Sequence, residues 1–118
     1  MARILIADDE PMISLLLEDW LGELGHDVLG PVRAVAPALM LIDSTPPDAA
    51  IVDVTLGKET GYPIAERLAA LKIPFVFATG RAEGSLQPPF TDAPVLAKPF
   101  DFADVQAAIA RMLGNPHG

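Results

Sequence analysis

Cysteine is absent from the 118 residues, which removes disulfide and thiolate-metal chemistry and fits a reducing compartment. Basic residues are scarce: 8 Lys and Arg stand against 16 Asp and Glu, a net charge of −8. The basic face that nucleic-acid binding needs is therefore missing. No apolar run is long enough to cross a bilayer, and Met1-Ala2-Arg3 leads straight into a short strand pattern without a signal-peptide layout. Neither nucleic acid nor membrane is an expected partner. What the chain has in quantity is hydrophobic residues, 51%, which excludes a disordered chain. At this length they suit one domain with a proper core. The expectation is an acidic, soluble, cytoplasmic single domain over residues 1–118, with no internal repeat or linker.

Strand-like runs alternate with helical patterns along the chain. Arg3-Ile4-Leu5-Ile6-Ala7 is a short apolar strand closed by Asp8-Asp9-Glu10-Pro11. Ile13, Leu16, Leu17, Trp20, Leu21 and Leu24 then recur at helical spacing, with Pro11 suited to the first turn and Gly25 to the C-terminal cap. Trp20 falls on the core stripe of that helix. Asp27–Val32 reads as a second strand, Pro31 marking an edge or an end. Val35, Leu39 and Ile42 mark a second helix with Pro37 in its first turn. The run Ala49-Ala50-Ile51-Val52-Asp53-Val54-Thr55-Leu56 reads as a buried parallel strand, followed by a loop-like Gly57–Gly61. Ile64, Leu68 and Leu71 outline a third helix, and Ile73–Ala78 a fourth strand ending at Thr79-Gly80. The segment from Arg81 to Phe90 carries a Gly-Ser and a Pro-Pro pair, so its helix should be shortened or irregular. Ala93–Ala97 is a fifth strand, ending at Lys98-Pro99, and Phe102, Val105, Ile109, Met112 and Leu113 form the stripe of a last helix. Five parallel strands covered on both faces give an α/β, flavodoxin-like doubly wound sheet of order 2-1-3-4-5.

Strands 1, 3, 4 and 5 end in Asp8-Asp9, Asp53, Thr79-Gly80 and Lys98-Pro99, and in such a sheet these residues share the ligand-binding edge. Taken singly each has a plain use: Asp53 in a turn, Asp8 and Asp9 at a helix N-terminus, Lys98 on the surface. Together they form a phosphate-handling centre. Clustered carboxylates repel without a cation, and an oxygen-rich set of few ligands suits Mg²⁺ with phosphate oxygens. A lysine binds phosphate as a point charge, Thr79 and the Gly80 amide can donate to an anion, and an Asp can itself be the nucleophile. Glu10 reads as a solvated helix-start acid, and His26 and His117 as too isolated to be ligands.

With these motifs in order, and Gly61 at the matching distance after Asp53, the chain resembles the receiver domains of two-component response regulators over nearly its whole length. The resemblance implies that Asp53 accepts a phosphoryl group from a sensor histidine kinase or a histidine phosphotransfer protein. It further implies Mg²⁺ on Asp9, Asp53 and the main-chain carbonyl of Thr55, with Asp8 acting mainly through water. Thr79 would bond the phosphoryl oxygen and Lys98 would neutralise it. Phe77-Ala78-Thr79-Gly80 is similar to the opening of the motif of the "FAT GUY" receivers, whose closing Tyr is replaced here by Ala82. Val95 stands where typical receivers have a switch aromatic, and Leu56-Gly57 where many have Met-Pro.

The expected function is a stand-alone switch, shuttle or sink, since few residues follow the last helix, with an order change in Arg81–Phe90 as the switch. Arg81 could cover the phosphoryl group or face solvent. Two rivals stand beside this reading. One is an unphosphorylated pseudo-receiver used as a docking module. The other is a haloacid-dehalogenase-like phosphatase, which would need an acid at position 55, where the chain has Thr55.

Overall fold

The apolar runs pair as the alternation predicts. In the computed structural model, which describes residues 2–80 and 86–114, β1 (Arg3–Ala7) leads to α1 (Pro11–Glu23), β2 (Asp27–Val32), α2 (Val35–Ser44) and β3 (Ala49–Asp53). A short antiparallel hairpin of β4 (Thr55–Leu56) and β5 (Glu59–Thr60) follows. Then come α3 (Tyr62–Ala70), β6 (Phe75–Thr79), β7 (Val95–Ala97) and α4 (Phe102–Met112). The main sheet is all parallel in the order β2-β1-β3-β6-β7, the flavodoxin-like order expected from the sequence.

Alternate residues of each strand serve opposite faces. Ala50 and Val52 of β3 pack with Leu5, Phe77, Ile42 and Ile64, whereas Ala49 and Ile51 pack with Ile4, Val76, Leu17 and Ile109. The central strand is buried throughout, which is why its sequence is a continuous apolar run. Helix ends follow local chemistry. Pro11 occupies the first turn of α1, and Gly25, at φ +85°, follows its C-cap. Asp101 and Asp104 form a reciprocal capping box at the start of α4. Trp20 meets Phe100 and Phe102 edge to face, beside the core as expected.

Between β6 and β7 the described residues, 86–94, contain no helix. Their apolar side chains take over the work of one. Leu86 and Phe90 are buried on the α2–α3 face. The Phe90 ring stacks on Tyr62 at 6.0 Å and meets Phe75 and Phe77 edge on. The Gln87 N–H donates to Tyr62 Oη at 3.0 Å. The sequence suggests a loose segment over Arg81–Phe90. Arg81–Ser85 lie outside the described residues; Leu86 and Phe90 are packed while Gln87, Pro88 and Pro89 between them are exposed, so two large apolar groups anchor the stretch despite Pro88-Pro89.

The hairpin is the element that sequence patterning missed. Gly57, at φ +62°, opens a two-residue turn that closes Leu56 onto Glu59. Glu59 Oε1 accepts the Val35 N–H at 3.0 Å, tying the hairpin to the start of α2. Gly61 then passes directly over the end of β3: a Cβ there would lie 2.2 Å from the Asp53 carbonyl oxygen and 2.7 Å from Val52 Cγ1. Gly61→Ala should therefore cost about 1–3 kcal/mol by forced displacement, lowering the melting temperature by roughly 4 °C per kcal/mol. A thermal melt checks this, and an unchanged midpoint would show that the end of β3 yields freely.

Candidate functional site

The registers of the sheet bring the strand ends together. Ala7 lies opposite Val52, Asp53 opposite Ala78, and Thr79 opposite Ala97. Asp8, Asp53, Thr79 and Lys98 therefore emerge side by side on the carboxyl edge, at the switch point where the winding reverses beside β1. Asp8, Asp53 and Thr79 are buried. The Lys98 N–H donates to the Thr79 carbonyl at 2.8 Å, which fixes where the lysine side chain starts.

Asp53 is held at both oxygens. Oδ1 accepts the Thr55 N–H at 3.0 Å, and Oδ2 accepts from Lys98 Nζ at 2.8 Å. The same ammonium reaches Glu10 Oε1 at 2.5 Å and lies 3.3 Å from Asp8 Oδ2. Asp8 Oδ1 accepts the Glu10 N–H at 2.9 Å, while Asp8 Oδ2 is buried without a hydrogen bond. Carboxylate oxygens of Asp8, Glu10 and Asp53 fall within 4.8 Å of one another. An acidic pocket whose buried Asp8 Oδ2 has only the Lys98 ammonium beside it is compatible with a divalent cation.

The electrostatics follow from this crowding. Burial pushes the Asp8 carboxyl up from 3.8 to about 6; the Glu10 N–H and the Lys98 charge pull it down, and the Asp53 charge pushes it further up. For Lys98, burial would lower the pKa, but hydrogen bonds to Asp53 and Glu10 and the charges of Asp53 and Asp8 hold it above the usual lysine range.

Two expected residues stand differently from the sequence reading. The Asp9 carboxylate, read as a direct metal ligand beside Asp53, is outside the cluster; its Oδ2 accepts the Gly57 N–H at 2.8 Å. The hairpin turn supplies a free amide, and a carboxylate accepts it. Glu10, read as merely solvated, is exposed but ion-paired with Lys98. The run Asp8-Asp9-Glu10 holds three acids in series, and only the position of the lysine decides which of them it meets. Gly80 is exposed with open space where a Cβ would stand, so no steric demand selects glycine. Val95 is half-buried on β7 opposite Phe77. Thr55 is exposed, His26 Nδ1 accepts the Ala2 N–H at 3.2 Å, and Arg81, Ala82 and His117 lie outside the described residues.

The Asp8 shift makes stability depend on pH. Between 3.8 and about 6 the folded chain keeps a proton on Asp8 that the unfolded chain has released. Stability therefore falls as pH rises through that window and stays lower above it. Asp8→Asn should raise unfolding free energy at pH 7 by on the order of 1–3 kcal/mol in metal-free buffer, with little gain near pH 4. Denaturant titrations at the two pH values with chelator present check this. A variant less stable at both would mean that the attraction to Lys98 outweighs burial.

Comparison with known proteins agrees with the geometry. PdtaR, a transcriptional regulatory protein of Mycobacterium tuberculosis, is 32% identical over 111 residues, covering 91% of this chain and 54% of that one. The phyllosphere-induced regulator PhyR of Methylorubrum extorquens is 32% identical over 119 residues, covering 94% and 43% respectively. The chain spans about half the length of these curated relatives. The solution structure of SdrG from Sphingomonas melonis Fr1 superposes with a TM-score of 0.84 at 47% identity, covering 96% of this chain and 97% of that chain. With residues 4–110 matching its defining pattern, the chain belongs to the response regulator receiver domain family, a family of signalling domains.

Proposed function

We propose that this receiver accepts a phosphoryl group on Asp53 from the phosphohistidine of a sensor histidine kinase or a histidine phosphotransfer protein. The observation that carries the reading is the state of Asp53, a buried strand-end carboxylate with Lys98 on one oxygen and the Thr55 amide on the other. A carboxylate oxygen attacks phosphorus, the bond to the donor nitrogen breaks, and the imidazole leaves. Lys98 and the amides around the site meet the charge that gathers on the phosphoryl oxygens, and the fixed backbone supplies alignment. Thr79, next to Gly80 at the end of β6, would bond one of those oxygens.

Mg²⁺ is the cation proposed for the acidic pocket, since few carboxylates leave room for its waters and phosphate oxygens. Asp8, Asp53 and the main-chain carbonyl of Thr55 would hold it, together with Asp9 once its carboxylate releases the Gly57 amide. Bound there, it would offset negative charge on the transferring group. Exposed Met12, Leu15 and Leu16 on α1, immediately after the acid run, offer an apolar face for a protein phosphodonor.

The proposed unit is a stand-alone receiver over residues 1–118, of the FAT GUY type, working in the cytoplasm. Phe77-Ala78-Thr79-Gly80 and the non-aromatic Val95 support that type. SdrG, whose solved chain is matched across 97% of its length, is the relative on which this reading leans.

Intact mass after incubation with a small phosphodonor tests the reading. One Mg²⁺-dependent phosphoryl adduct is expected on the wild type and none on Asp53→Ala; an adduct on both would place the acceptor elsewhere, and none on either favours a docking module. Mg²⁺ should also raise the melting temperature by linkage. Asp9→Asn should remove most of that rise, and an undiminished rise would exclude Asp9 as a ligand.

A further inference from the structure

An ammonium has three donors, and those of Lys98 face three carboxylates: Asp53 at 2.8 Å, Glu10 at 2.5 Å and Asp8 at 3.3 Å. A phosphoryl group on Asp53 brings further oxygens that need the same ammonium, so a present partner must give way. The three acids differ in what release costs. Asp8 and Asp53 are 1% and 5% exposed and would be left charged out of reach of water. The Glu10 side chain is 57% exposed and returns to solvent on release.

Glu10 also has a second place to go. It is the N-cap residue of α1, yet its side chain makes no cap hydrogen bond, being committed to Lys98. Its backbone is fixed independently, through its N–H on Asp8 Oδ1 and Pro11 at the start of the helix. A released carboxylate therefore swings beside the unsatisfied N–H groups of the first turn, where negative charge is favoured.

We infer that Glu10 is a latch on Lys98: in the resting protein it occupies the ammonium, and the phosphoryl oxygens on Asp53 displace it towards the α1 N-terminus. Glu10 is thus a positioning residue that acts through Lys98, and this rests on the phosphoryl-accepting role proposed for Asp53. The latch sets how readily the site charges with phosphate, and its release moves a surface charge at the start of the apolar α1 face.

Glu10→Gln in the full chain keeps the shape and removes the charge. Three quantities are read on it and on the wild type: the initial labelling rate by acetyl phosphate from intact mass at saturating Mg²⁺, the affinity for Mg²⁺ alone by calorimetry, and the melting temperature. Labelling about two- to fivefold faster, the size that an ion pair exposed on its Glu10 side supports, with Mg²⁺ affinity within about twofold, is the expected result. Equal labelling of the two proteins would overturn the latch and leave the phosphoryl reading standing. Slower labelling with weakened Mg²⁺ affinity would also overturn it, assigning Glu10 to the cation instead. A wild type that takes no label would overturn the phosphoryl reading, and the latch with it.

Discussion

The ammonium of Lys98, set among the carboxylates of Asp53, Asp8 and Glu10, is the interaction on which the carboxyl edge of the sheet depends. Like charges this close in a partly buried site repel by several kcal/mol at an effective dielectric of about 20, and one cation offsets only part of that. The placement of the lysine is therefore structural before it is functional. Its backbone N–H is bonded to Thr79, so β6 and β7 hold the charge that β1 and β3 require. The last helix is started by its own capping box three residues later, which fixes the chain on the far side of the lysine.

A second constraint acts from the opposite side. The hairpin after β3 is anchored by Asp9 on Gly57 and by Glu59 on α2, and it lays Gly61 against the Asp53 carbonyl. The next residue, Tyr62, carries the ring on which Phe90 stacks. The backbone of the candidate acceptor and the packing of the β6–β7 connection are thus separated by a single peptide unit. Val95 lacks an aromatic ring, and the aromatic surface of this face comes instead from Tyr62, Phe75, Phe77 and Phe90.

Legibility in the sequence followed the strength of the local signal. The sheet order was readable because β1, β3 and β6 are apolar runs of sheet length separated by helical periods, and that pattern leaves few topologies. Asp8, Asp53, Thr79 and Lys98 were readable as neighbours because each ends a strand, a position that parallel topology alone converts into proximity. What depended on side-chain direction was not readable. Asp9 and Glu10 are adjacent acids in one loop, and their opposite destinations are set by the Gly57 amide and the Lys98 ammonium, 48 and 88 residues away. The hairpin was missed because two-residue strands carry no period. The packing of Leu86 and Phe90 was missed because breaker residues around them dominated the local reading.

The two outer strands share a property that bears on how this chain behaves at high concentration. Exposed strand edges are templates for pairing between molecules, and short edges interrupted by proline are poor ones. At one border β2 contains Pro31; at the other, β7 has only three residues and lies between Pro94 and Pro99. Neither border offers a long run of free backbone donors. In a chain this rich in apolar residues, with no helix among the described residues 86–94 beside the sheet, such borders make poor templates for pairing between molecules.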